Sequence, residues 1–176
     1  GAMRASAMRT LRALRLKEGD RALLCLPVAY VAGKMMLVRA WEGKLSLEIV
    51  PPSLHPFALL TEAPDFVALT PAQAAASYGV EAERCLMEET RCILLGGGKV
   101  DAQLEAQLQS CRGEVWSSYG MTETLSHIAL RRLNGSEREG GYRPLEGVSI
   151  KVNGEGCLVI RSEERRVGKE CSEPCR

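Results

Sequence analysis

Three short, wholly apolar runs limit the folds open to this chain. Residues 22–26 read ALLCL and stop at Pro27, residues 66–69 read FVAL, and residues 92–95 read CILL and stop at Gly96-Gly97-Gly98. A strand with one solvated face alternates apolar and polar positions, whereas a strand apolar at every position is covered on both faces, as in parallel sheets. The intervening segments supply the covering helices. Residues 32–41 suit a buried helix, residues 71–76 a helix with Pro71 at its first position, and residues 81–87 a second short one. Residues 45–50 alternate like a further strand and are closed by Pro51-Pro52. Upstream, Ala7, Leu11 and Leu14 recur at helical spacing and predict an amphipathic helix ended by Gly19. Downstream, Asp101 opens a helix carrying Leu104, Leu108 and Cys111 on one face, before a strand at 114–118. Strand and helix alternate, so the expected class is α/β: a mainly parallel sheet with flanking helices. The end differs, because residues 148–152 and 157–160, joined across Asn153-Gly154-Glu155-Gly156, predict a C-terminal β-hairpin. There is no internal repeat and no low-complexity linker.

Composition removes several function classes. Lys and Arg number 23 against 22 Asp and Glu, so no basic excess favours nucleic acid. The apolar stretches 22–28 and 31–38 are interrupted by Pro27, Tyr30 and Lys34, and fall short of the ~20 residues a membrane helix needs. Arg4, Arg9, Arg12 and Arg15 occupy the place of a signal-peptide apolar region. The expected location is the cytoplasm, without a membrane partner. Cys25, Cys85, Cys92, Cys111 and Cys157 are scattered without metal-ligand spacing and read as small buried hydrophobes in a reducing compartment. With only His55 and His127, neither a histidine-rich metal site nor a Ser/His/Asp triad is favoured.

Residues 161–171, RSEERRVGKEC, break abruptly from the apolar run before them and match a sequencing-library adaptor translated in one frame. Residues 161–176 are therefore read as a non-native tail, Cys171 and Cys175 are not read as ligands, and the native unit is residues 1–160.

The chemistry concentrates in Tyr119-Gly120-Met121-Thr122-Glu123-Thr124, directly after an expected strand. Loops leaving the carboxyl ends of parallel strands are where α/β sheets hold ligands. There Gly120 permits close backbone approach, Thr122 offers a hydroxyl to a phosphate oxygen, and Glu123 offers a carboxylate to magnesium. A polar loop after a strand does not by itself require a ligand. Two further segments accompany it: Leu94-Leu95-Gly96-Gly97-Gly98, and Leu26-Pro27-Val28-Ala29-Tyr30-Val31-Ala32-Gly33. The three glycines taken alone need mean no more than a tight strand-to-helix turn, since the spacing of the phosphate-cradling loops is missing.

Together the three segments, in order and spacing, resemble the adenylate-forming superfamily of acyl-CoA synthetases, luciferases and peptide-synthetase adenylation domains. The resemblance spans residues 1–160 and implies part of that superfamily's large N-terminal AMP-binding domain. It assigns Gly96, Gly97, Gly98, Ser118, Tyr119, Gly120, Met121 and Thr122 to the nucleotide, with the tyrosine against adenine. It gives Thr122 and Glu123 the catalytic roles, and Glu123 the metal. The first segment is similar to the superfamily's LPxxHxxG acyl-pocket motif, with Tyr30 where histidine or another aromatic is usual. Residues 124–135, TLSHIALRRLNG, resemble the continuation in o-succinylbenzoate-CoA ligases. The activated substrate then carries a second carboxylate, which needs donors or a cation. Tyr30, Gly33, Lys34, Ser126 and His127 are the candidate substrate residues; for His127 and Lys34 a structural histidine and a snorkelling helix lysine stand as alternatives. Arg131 and Arg132 read as a solvated face.

The reaction implied is ATP-dependent ligation of a carboxylic acid to CoA through an acyl-adenylate, with Mg2+ and CoA as substrate, in menaquinone biosynthesis. Another aryl- or fatty-acyl-CoA ligase, or a non-catalytic nucleotide-binding remnant, remains open, as does a homo-oligomer of the full-length enzyme. The superfamily's phosphate loop with its lysine, its hinge segment and its lid lysine are not found in these residues, so the chain is expected to be an internal fragment that is inactive alone.

Overall fold

The apolar runs become adjacent central strands of one sheet, although the first two are not consecutive strands in sequence. In the computed structural model, which describes residues 1–121, 124–154 and 156–162, seven strands form one sheet. They are β1 (Arg21–Leu24), β2 (Ser46–Ile49), β3 (Phe66–Leu69), β4 (Cys92–Leu95), β5 (Glu114–Gly120), β6 (His127–Arg132) and β7 (Arg143–Pro144), in the order β2-β1-β3-β4-β5-β6-β7. The first five pair in parallel, with Leu24 opposite Ile49, Leu69 opposite Leu95, and Leu95 opposite Ser117. β3 and β4 are buried at every position, as their unbroken apolar sequence requires. A separate antiparallel hairpin, β8 (Val148–Val152) and β9 (Leu158–Ser162), closes the described chain where a hairpin was expected.

The helices are α1 (Ala2–Ala13), α2 (Val31–Gly43), α3 (Pro71–Tyr78), α4 (Glu81–Glu89) and α5 (Ala102–Gln107), the last continued by a 3₁₀ turn at Leu108–Ser110. From β1 the chain moves one way to β2 and then the opposite way to β3, so right-handed crossovers place α2 on one face and α3 to α5 on the other. α1 packs on α2, and α3 packs on α4 and α5. Local chemistry sets the helix starts. Thr70 accepts from the Gln73 amide at 3.2 Å while the Gln73 side chain returns to the Thr70 amide at 3.0 Å, a capping box ahead of Pro71. Asp101 caps α5 by accepting from the Leu104 amide at 2.8 Å. Phe66, Leu23, Ile93, Leu95 and Met36 form the heart of the core. Among the described residues, no helix is long and apolar enough to cross a membrane.

Three expectations are corrected. The first helix ends at Ala13, not Gly19, because Arg15 takes a left-handed conformation (φ 53°) that turns the chain while Leu14 stays buried. Arg131 and Arg132 do not form a solvated face. They lie in β6, an antiparallel strand outside the expected alternation, with side chains 19% and 11% exposed and ion-paired to Glu105 at 2.9 Å and Glu114 at 3.2 Å. Of the cysteines, Cys25, Cys92 and Cys111 are buried, but Cys85 is exposed on α4 and Cys157 is half-buried, since neither faces the sheet interior. Burial pushes the first three thiols up to about 12, which leaves them protonated and inert.

Candidate active site at the carboxyl edge of the sheet

Five parallel strands bring their carboxyl ends to one edge. The segments that follow β1, β3, β4 and β5 there begin at Cys25, Thr70, Gly96 and Met121 respectively. The order in which strands are added to the sheet reverses at β1 and β3, which stay parallel, and such a switch opens a crevice outside the strand ends. Gly33, in the first turn of α2, closes on the β1 exit: a Cβ there would lie 2.4 Å from the Pro27 carbonyl oxygen. Tyr30, the N-cap of α2, is 69% exposed, and Lys34 is exposed beside it.

The glycine segment forms a wall without side chains. A Cβ on Gly96 would meet the Ser118 hydroxyl at 2.7 Å, and Gly97 has a left-handed φ of 77° and opens to solvent. Ser118 donates to the Leu95 carbonyl at 2.8 Å, tying the end of β5 to the glycine turn. Tyr119 projects to the other face of β5 and packs on Tyr142, ring centroids 5.8 Å apart and tilted by 54°. At Gly120 the close approach comes from protein: a Cβ would lie 2.6 Å from the His127 Cα and the Ser126 carbonyl, where a bulge shifts the β5–β6 register. Thr122 and Glu123, expected to carry the phosphate and metal chemistry, lie outside the described residues. The residues around them are pinned by Thr124, whose hydroxyl accepts from the Met121 amide at 3.0 Å and lies 2.8 Å from the carbonyls of Met121 and Ser126. Among the described residues, no three His, Cys, Asp or Glu side chains gather to hold a metal.

Beyond that loop, Ser126 and His127 both lie beside Arg39, a residue not among the sequence candidates. Arg39 lies on the buried face of α2 and is 2% exposed. Its Nη2 donates to Ser126 Oγ at 3.1 Å and lies 3.5 Å from His127 Nδ1. A guanidinium only donates, so His127 Nδ1 accepts and the ring carries its proton on Nε2. That nitrogen then donates to Thr10 Oγ1 at 3.1 Å, and the Thr10 hydroxyl passes on to the Ser6 carbonyl. Burial first, then the Arg39 and Arg9 charges, push His127 well below the usual histidine range, so it stays neutral. Among the described residues no carboxylate pairs with Arg39, and its Nε has no partner. Burial lowers the guanidinium to about 10, still charged at neutral pH. An isolated buried cation is costly unless an anion completes it. The signal was present in the sequence: residues 35, 36, 39 and 40 share one helical face, and only 39 is charged.

The same arrangement of segments recurs in known proteins. The sequence profile of AMP-binding enzymes matches residues 2–169. The 2-succinylbenzoate–CoA ligase of Bacillus subtilis is 31% identical over 166 residues, covering 86% of this chain and 32% of that protein. The chain thus spans about a third of the length of the curated relatives it matches. An acyl-CoA synthetase (AMP-forming)/AMP-acid ligase II-like protein from Dyadobacter fermentans superposes with a TM-score of 0.83 at 40% identity, over 92% of this chain and 46% of that one. The Bacillus subtilis o-succinylbenzoate coenzyme A synthetase, solved with ATP and magnesium ion, shares the fold at a TM-score of 0.71 and 22% identity, over 92% and 37% of the two chains. With glycine wall, tyrosine-led loop and switch-point crevice all on one sheet edge, this chain belongs to the AMP-binding enzyme family.

Proposed function

We propose that this chain forms part of an ATP-dependent ligase that joins o-succinylbenzoate to CoA through an acyl-adenylate, in menaquinone biosynthesis. The observation that carries the reading is Arg39: a buried cation, acid-free among the described residues, with its Nε unpaired. A substrate with a second carboxylate supplies the anion that Arg39 lacks, with Ser126 as a neighbouring hydroxyl. The curated relatives bearing the 2-succinylbenzoate–CoA ligase name support the same substrate.

In the first half-reaction one substrate carboxylate attacks the α-phosphorus of ATP and pyrophosphate leaves; in the second the CoA thiol attacks the acyl carbon and AMP leaves. The protein's task is orientation and charge stabilisation. Gly96, Gly97 and Gly98 let adenine approach the backbone, Tyr119 lies against it, and Gly120 and Met121 carry the chain past the phosphates. Thr122 would donate to a phosphate oxygen, and Glu123 would hold a magnesium ion whose charge would offset the negative charge on the phosphate.

Replacing Arg39 by methionine in the full-length ligase should raise the KM for o-succinylbenzoate by roughly 10- to 100-fold, the worth of a charge-assisted hydrogen bond, while the KM for ATP holds. Steady-state assays across a panel of acids decide it. Turnover of a simple aryl or fatty acid with none of o-succinylbenzoate would sink the substrate assignment.

A further inference from the structure

We propose that Tyr142 is a positioning residue that fixes the ring of Tyr119, and so sets the affinity for the nucleotide. The inference rests on the reading above that Tyr119 lies against adenine. Tyr142 lies just ahead of β7, outside every motif, yet it touches the one aromatic side chain of the tyrosine-led loop. Three contacts hold it. Its hydroxyl and Ser117 Oγ share a hydrogen bond of 2.7 Å. Its ring stacks at a tilt on Tyr119. The Arg131 guanidinium lies over it, 5.9 Å from the centroid.

The register explains why these groups meet. Ser117 pairs with Arg131 and Tyr119 with Ala129, so Ser117, Tyr119 and Arg131 all project from the face that carries α5. There Glu105 of α5, its side chain 10% exposed, takes two contacts from Arg131 at 2.9 and 3.4 Å and two from Arg138 at 2.9 and 3.1 Å. The arginine over Tyr142 is therefore itself immobilised, and α5 is the helix that follows the glycine wall. A continuous run of contacts thus joins α5, the helix that follows Gly96, Gly97 and Gly98, to the ring of Tyr119 at the end of β5. A stacking side chain binds more tightly when its rotamer is fixed before the ligand arrives. Tyr142 supplies that fixation through an aromatic pair and does not itself need to touch ATP.

Three variants of the full-length protein, Tyr119→Ala, Tyr142→Ala and the double variant, test this by ATP affinity and by the separate KM values for ATP, acid and CoA. Tyr142→Ala should raise the KM for ATP roughly two- to tenfold, the range that corresponds to an aromatic pair, and leave the other two constants alone. The double variant should lose no more ATP affinity than Tyr119→Ala does. Tyr142→Phe, which keeps the ring and gives up the Ser117 bond, should restore most of the affinity. An unaltered ATP affinity in Tyr119→Ala would remove the nucleotide reading on which the proposal stands. With Tyr119→Ala weakened, an unaltered Tyr142→Ala, independent losses that multiply in the double variant, or an equal rise in all three KM values would each overturn the positioning role and leave the nucleotide reading intact.

Discussion

His127 shows how one side chain can serve a site without facing a ligand. It accepts from Arg39 on one nitrogen and donates to Thr10 on the other, so its neutral tautomer links α1, α2 and β6. Protonation would remove the acceptor and set a second cation against Arg39, with the Arg9 charge also opposed. The consequence for stability follows by linkage. Above the unfolded value of 6.5 the ring is neutral in both states and contributes no pH dependence. Below it the unfolded chain takes up a proton that the folded chain refuses, so stability falls as pH falls, by about 1.4 kcal/mol per unit until the folded ring also titrates. Urea unfolding between pH 7.5 and 5.0 should show this loss in the native sequence and a shallower one in His127→Gln. Parallel profiles for the two would mean that the histidine is not held neutral. His55 contacts Glu83 at 2.8 Å in both proteins and cancels from the comparison.

At the scale of elements, the segment similar to LPxxHxxG owes its glycine to packing. The first turn of α2 lies so close to the end of β1 that a methyl group on Gly33 would sit 2.4 Å from the Pro27 carbonyl oxygen and 2.8 Å from that of Leu26. Backbone cannot yield as a flexible side chain does, so Gly33→Ala should cost about 1–3 kcal/mol, the usual range for overpacking. Thermal unfolding would register it, and an unchanged midpoint would show that α2 can slide away from the turn. The strands were legible in the sequence for a related reason. Burial on both faces leaves residues 66–69 and 92–95 no polar position, and Pro27, Pro71 and the glycines mark where those strands stop or the next helix starts. β6 was not legible. Its HIALRR sequence ends in two arginines whose partners, Glu105 and Glu114, lie far away in the chain and are brought near only by the sheet order. Arg39 and Tyr142 were missed likewise: local pattern marks the face a residue occupies, and tertiary pairing decides what it meets.

The whole molecule presents one face that its own described residues leave uncovered. β2 is the edge of the sheet, paired only with β1, and carries Ile49 at 66% exposure. α2, the helix between those two strands, turns Leu37 and Trp41 outward at i and i+4, with Trp41 83% exposed. An exposed tryptophan and an open strand are each liabilities in a free protein, because the first favours apolar contact and the second offers unpaired backbone groups to another chain. Glu48 is the only charge on β2 available to discourage such pairing. The 176-residue chain by itself is therefore expected to self-associate at micromolar concentrations. Sedimentation velocity across a dilution series should resolve species larger than the 19.2 kDa monomer. The double change Trp41→Lys and Ile49→Lys, at positions already facing solvent, should shift the distribution to monomer with little loss of helix signal in circular dichroism. A native chain that sediments as a single monomer at every concentration would show that this face needs no cover.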